Sequence, residues 1–200
     1  QSNIWLTPFF ALTASYQTSM AASVDAGPGE SERVLVDHNW FSVGLRLRRY
    51  FGVGLEAPSL VFGLDYREYQ FQPEADAAFR PELRTSGVAL SMESFIPSTR
   101  RYAWKFGTRF MPRASHEESR TGVSVRSGSD SETNVLAFWL GGRYTFTRRE
   151  QVFWRIEHTL EKSLFTESSS PEDPVSGTEL EGVQVEQSRL LFKFGFTWGN

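Results

Sequence analysis

Residues 102–113 read YAWKFGTRFMPR. On an extended chain successive side chains point to opposite sides, so Tyr102, Trp104, Phe106, Thr108 and Phe110 share one face and Ala103, Lys105, Gly107 and Arg109 the other. One face is aromatic; the other is small or charged. A helix would scatter both sets around its circumference, so the period of two assigns the stretch to a β-strand. Residues 189–200, RLLFKFGFTWGN, repeat the pattern, with Phe192, Phe194, Phe196 and Trp198 set against Leu191, Lys193, Gly195 and Thr197.

The same alternation recurs along the rest of the chain. In residues 5–19, Phe10, Leu12, Ala14 and Tyr16 oppose Ala11, Thr13, Ser15 and Gln17, with Pro8 near the start, where a missing ladder donor is tolerated. Residues 38–49 set Phe41, Val43, Leu45 and Leu47 against Ser42, Gly44, Arg46 and Arg48, and residues 60–69 set Phe62, Leu64 and Tyr66 against Gly63, Asp65 and Arg67. Residues 87–96, 135–147 and 152–165 continue it, the last with Trp154, Ile156 and Leu160 opposite Arg155, Glu157, Thr159 and Glu161. This gives eight strands, each near or above the roughly 9–11 residues that a tilted strand needs to cross a bilayer. The polar stretches 20–36, 72–82, 114–133 and 168–182 read as long loops, and 51–59, 96–101 and 147–151 as short connections between them. The expected fold is all-β: a single domain over residues 1–200, an antiparallel eight-stranded transmembrane β-barrel with short periplasmic turns and long extracellular loops.

Composition narrows the function classes. The chain has 200 residues, 14% of them aromatic, yet its mean hydropathy is only -0.37. That combination suits strands that are apolar on one face and are joined by polar loops. No apolar run approaches the roughly 18 residues of a helical span. Cysteine is absent, which removes disulfides, thiolate catalysis and Cys-based metal sites. A net charge of -3 gives no reason to expect nucleic acid. The opening QSNIW, without an initiator Met, fits a processed export product or a trimmed chain.

A soluble barrel of the lipocalin kind alternates too, with its apolar face inward. Three features favour lipid on the outside. The polar face is rich in Gly, Ala, Ser and Thr, as a narrow eight-strand interior requires. Aromatics recur near strand ends (Trp5, Tyr50, Phe51, Tyr102, Phe146, Phe153), at the level of lipid headgroups. Long and short connections alternate strictly. In layout the chain is similar to the small eight-stranded bacterial outer-membrane barrels of the OmpA-type membrane domain. Its last strand, with Phe192, Phe194, Phe196 and Trp198, resembles the recognition strand that the barrel-assembly machinery reads in that class. The resemblance implies an integral outer-membrane location, with outer-membrane lipids, lipopolysaccharide and that machinery as partners. Gly199 and Asn200 after the last aromatic depart from the pattern, as does the lack of a peptidoglycan-binding domain within the 200 residues.

Two residue sets carry the functional expectation. The inward face holds Arg46, Arg48, Asp65, Arg67, Glu93, Lys105, Arg109, Arg143, Arg155, Glu157, Glu161 and Lys193. Buried charges must be paired or hydrated, so these are expected to form an ion-pair network that fills the lumen. The lipid-facing set comprises Phe62, Trp104, Phe106, Phe110, Phe138, Trp154, Phe192, Phe194, Phe196 and Trp198. His158 and Lys162 fall on that outer side, where Lys costs about 2–4 kcal/mol at the midplane. Lys162 can snorkel; for His158 either another protomer covers it or a small bulge turns it inward.

His38, His116 and His158 show no triad spacing, and no helix is present to build an HExxH pair, so neither catalysis nor a cofactor or metal is expected. Acidic residues crowd the loops as solvated charge, without the spacing of a calcium loop. The expected function is that of a non-enzymatic outer-membrane barrel with an occluded, charged lumen. It would act as a structural or interaction component of the envelope, assembling into a lipid-associated homo-oligomer. The alternative is a narrow porin-like channel for small ions or solutes.

Overall fold

The computed structural model describes residues 2–19, 22–25, 33–54, 57–73, 82–119, 130–147, 150–167 and 184–198. They form one antiparallel sheet of ten strands: β1 Ser2–Trp5, β2 Phe10–Thr18, β3 Ala22–Asp25, β4 Arg33–Tyr50, β5 Ser59–Pro73, β6 Glu82–Pro97, β7 Tyr102–Ser119, β8 Asp130–Thr145, β9 Glu150–Glu167 and β10 Gln184–Trp198. From β4 onward each strand pairs with the next in sequence, β2 precedes β4, β1 lies on the outer edge of β2, and β3 pairs with β4 beyond the end of β2. There is no helix among the described residues, and none long and apolar enough to cross a membrane.

The sheet curls. Arg189 of β10 stacks 4.0 Å from the ring centroid of Tyr69 on β5, and Thr85 of β6 reaches Glu161 of β9 at 2.6 Å. Such contacts between strands several places apart need a strongly bent sheet, which the right-handed twist of its strands supplies. No backbone ladder joins β10 to β1 or β2 among the described residues, so the described sheet is a curled half-barrel with two free edges.

The two faces have opposite chemistry. The concave face buries Asp65, Glu157, Glu161 and Ser163 at 2% exposure or less, with small residues such as Ala11, Ala89 and Ala137 between them. On the convex face the register aligns Leu12, Leu45, Leu64, Leu90, Phe110, Leu136 and Leu160 across seven adjacent strands. Leu64 and Leu90 there are 46% and 57% exposed. This is the reverse of a soluble sandwich, whose apolar faces are turned toward each other.

Several boundaries differ from the sequence expectation. The first strand is broken: residues 6–9 form a turn, in which Thr7 Oγ1 accepts hydrogen bonds from the Phe9 and Phe10 amides, and Ser2–Trp5 folds back onto β2. Pro8 therefore lies in that turn, and Trp5 packs inward, its ring centroid 3.6 Å from the Arg48 guanidinium, away from any outer girdle. Within the stretch read as a loop, Ala22–Asp25 pairs with Arg33–Val36. β5 runs to Pro73, β7 to Ser119, and β8 starts at Asp130. Loop residues 74–81, 120–129 and 168–183 lie outside the described residues.

The largest local departure is in β7. Its pairing to both neighbours slips by one residue between Met111 and Ala114, where Pro112 cannot donate to a ladder and Arg113 takes φ 50°. Before this bulge the odd residues Arg109 and Met111 face inward; after it the even residues Ala114 and His116 do.

Candidate functional site

Alternation places every charged residue of the inward set on the concave face, and the strand curvature brings them within bonding reach. Glu157 of β9 is the centre. Its Oε1 accepts from Arg109 at 2.6 Å, and its Oε2 lies 2.8 Å from Arg155 and 3.4 Å from Lys193. Glu93 forms a second node, 3.5 Å from Lys105 and 3.9 Å from Arg155, with the Trp139 indole N–H donating to it at 3.0 Å. Arg46 pairs with Asp65 at 2.5 Å. Arg48 stacks on Trp5, and Arg143 lies over the Phe95 ring, 4.7 Å from its centroid.

Small residues make room for these large heads. A Cβ at Gly63 would collide with the Arg46 guanidinium and Ser91 Oγ, and one at Gly107 with the Trp139 ring. The polar interior thus depends on glycine for volume. Between the side chains remains a cavity of about 50 Å³ bordered by all eight long strands, β2 and β4–β10.

A third node lies at the end of the concave face reached by β7 beyond its bulge. Glu161 accepts hydrogen bonds from Arg189 at 2.5 Å and from Thr85 at 2.6 Å, and His116 Nδ1 lies 3.0 Å away. The other ring nitrogen of His116 is 3.6 Å from Glu118, and Phe165 packs edge-on against the ring. The outward neighbours here are Arg113, Ser115 and Glu117, so this end lies outside the apolar convex band. Burial pushes the imidazole pKa down, but Glu161 and Glu118 outweigh it and hold the pKa up, at about 9.

A raised histidine pKa adds stability that is complete below the unfolded value of 6.5 and disappears as pH rises through about 9. The thermal midpoint of the protein is therefore expected to fall between pH 6.5 and 9.5 by more than that of His116→Gln. Parallel falls in both would assign the pH dependence to other groups.

Chemically the interior offers fixed charge and hydrogen-bond donors. Among the described residues no group of three or more His, Asp or Glu is arranged to hold a metal ion. His38 sits in an aromatic cluster, its Nδ1 2.9 Å from the Tyr69 hydroxyl and its ring stacked on Trp40.

Phe62, Trp104, Phe106, Phe110 and Phe138 project from the convex face, as do Phe192, Phe194, Phe196 and Trp198 on β10, and Trp154 lies edge-on to Trp104 there. His158 stays on that face too. The β9–β10 register is continuous through it, which removes the inward-turning bulge as an explanation. Its Nε2 instead meets Ser188 Oγ at 2.8 Å, and Lys162 lies 3.5 Å from Glu186.

Sequence reasoning overlooked two members of the interior. Arg189 precedes the first outward apolar residue of β10, and His116 falls in a stretch read as a loop. Pro112 in mid-strand was the available signal for the second, since proline inside a sheet marks an edge or a bulge. Comparison with known proteins gives no match: no family model, no curated protein and no solved structure.

Proposed function

We propose that the chain is an integral β-barrel of the bacterial outer membrane with an occluded, charged lumen, acting as a structural or interaction component of the envelope. The observation that carries this reading is the inverted amphipathicity of the curled sheet. Water favours charged side chains outside and apolar ones inside. Here Glu157 and Asp65 are buried, while Leu190, Phe192 and Trp198 are 73%, 68% and 77% exposed. Exposed apolar side chains run across every long strand, whereas a soluble monomer carries apolar patches of at most a few hundred Å². Hydrocarbon is the medium that such a surface suits.

In that medium an unpaired strand edge is costly, because no water is present to bond its N–H and C=O groups. The proposal therefore includes closure of the eight long strands through β10 and the edge formed by β1 and β2. Ser15 and Gln17 of β2 border the same cavity as Arg189 and Lys193 of β10, which favours their proximity. The small size of that cavity and the ion pairs around it favour an occluded interior over a channel. Outer-membrane lipids and lipopolysaccharide would be the partners of the convex face. A second protomer over His158 and Lys162 is not needed to satisfy them, since Ser188 and Glu186 already do so.

Two measurements test this. The purified chain is expected to need detergent to remain in solution, and to migrate at different positions on an SDS gel before and after boiling, as a closed barrel resists SDS until heated. A chain that stays folded and monodisperse in plain buffer would overturn the reading.

A further inference from the structure

The concave face does not balance its charge. Six cations there share four carboxylates: Arg46 holds Asp65; Lys105 and Arg155 hold Glu93; Arg109 and Lys193 join Arg155 on Glu157; and Arg189 holds Glu161. Arg67 is a seventh. It projects from β5 into the same interior, yet has no hydrogen-bond or ion-pair partner among the described residues. It senses Glu157 and Asp65 only from beyond contact, against repulsion from Arg109 and Arg155. Arg67 is half-buried, and a guanidinium drawn partly out of water without a counter-charge is costly. The single cavity described above lies beside it, bordered by Arg67, Arg109, Lys193, Thr159, Ser15 and Gln17.

We propose that this cavity is a binding site for one small inorganic anion, seated against the Arg67 guanidinium. The lining carries three guanidinium forks, an ammonium group, four hydroxyls and an amide, against the carboxylates of Glu68, Glu157 and Glu161. The three carboxylates are already engaged: Glu157 by Arg109, Arg155 and Lys193, Glu161 by Arg189, Thr85 and His116, and Glu68 by Gln70 and Arg84.

Size limits the ligand. At about 50 Å³ the cavity exceeds the roughly 10–15 Å³ that one water requires. It suits a halide or a single tetrahedral oxyanion. The forked geometry of Arg67 matches an oxyanion with two bonds and a halide with one. This inference concerns the concave face alone and holds whatever medium meets the convex one.

The test is equilibrium dialysis of the folded 200-residue chain in detergent, exchanged into sodium gluconate, against radiolabelled chloride or phosphate. About one anion per chain is expected, and the preferred probe distinguishes halide from oxyanion. Arg67→Gln is expected to weaken binding about tenfold or more, whereas Arg67→Lys, which keeps the charge but loses the fork, retains part of it. Should Arg67→Gln fail to fold, the wild-type thermal midpoint serves instead. It should rise by about 3–6 °C in the binding anion at roughly ten times its Kd, relative to gluconate at equal ionic strength. No bound anion together with equal midpoints in all three salts would overturn the proposal and leave the cavity to water. Undiminished binding in Arg67→Gln would overturn the assignment to Arg67.

Discussion

Glu157→Gln is expected to lower the unfolding free energy by about 3–5 kcal/mol, the cost of removing one partner from a buried ion pair. The substitution keeps the volume of the side chain and removes only its charge, so the effect isolates electrostatics. Arg109, Arg155 and Lys193 would be left facing one another around a neutral amide, with Arg67 close by. Removing Glu68 from its pair with the solvent-exposed Arg84 should change stability little, because water screens that pair. Urea titration of the folded protein followed by tryptophan fluorescence measures both. An unchanged midpoint for Glu157→Gln would mean that water reaches the interior and screens its charges, which is the behaviour of an open channel and not of an occluded barrel.

Leu64→Arg carries the second-largest expected effect, and its sign depends on the medium. Leu64 sits midway along β5 between Leu45 and Leu90 on the convex face and is 46% exposed. In a bilayer, arginine at this depth costs about 2–4 kcal/mol. In water the same change would be near neutral and would raise solubility. The fraction of chain that folds into lipid vesicles across a urea series should therefore fall for Leu64→Arg, whereas Gln72→Arg, close to the polar end of β5, should match the parent. Equal folding of both variants would remove lipid from the convex face.

The faces were legible in the sequence where the ladder is unbroken. From Ser59 to Tyr66 on β5 and from Trp154 to Glu161 on β9 the backbone keeps strict register, so a period of two assigns each side chain correctly. The strand ends were not legible, and the reason is physical. Hydrophobic alternation ends where the outer face turns polar, while the hydrogen-bonded backbone continues: β4 begins at Arg33 and β7 ends at Ser119, both well past their last outward aromatic residue. Polar residues on both faces of a strand look like a loop. The hairpin that folds β1 onto β2 was hidden for a different reason, since the four-residue turn at 6–9 interrupts a stretch whose alternation resumes in the same sense on its far side. Ion-pair partners were beyond reach altogether. Which carboxylate each cation meets depends on the curl of the sheet, and Arg109 meets Glu157 across 48 positions of chain.

The extra residue in β7 makes the last third of that strand tolerant of one length change and intolerant of others. A single deletion at Pro112 or Arg113 would remove the bulge, restore simple alternation and leave Ala114 and His116 facing inward, whereas a single deletion at Ser115 would exchange inside for outside beyond it. In the second case His116 would be expelled and Glu117 would rotate in beside Glu161, setting carboxylate against carboxylate where a carboxylate and an imidazolium now attract. Drift beyond the bulge is thus confined to substitutions, while the turn at residues 98–101, which leads into the same strand, is free of that constraint.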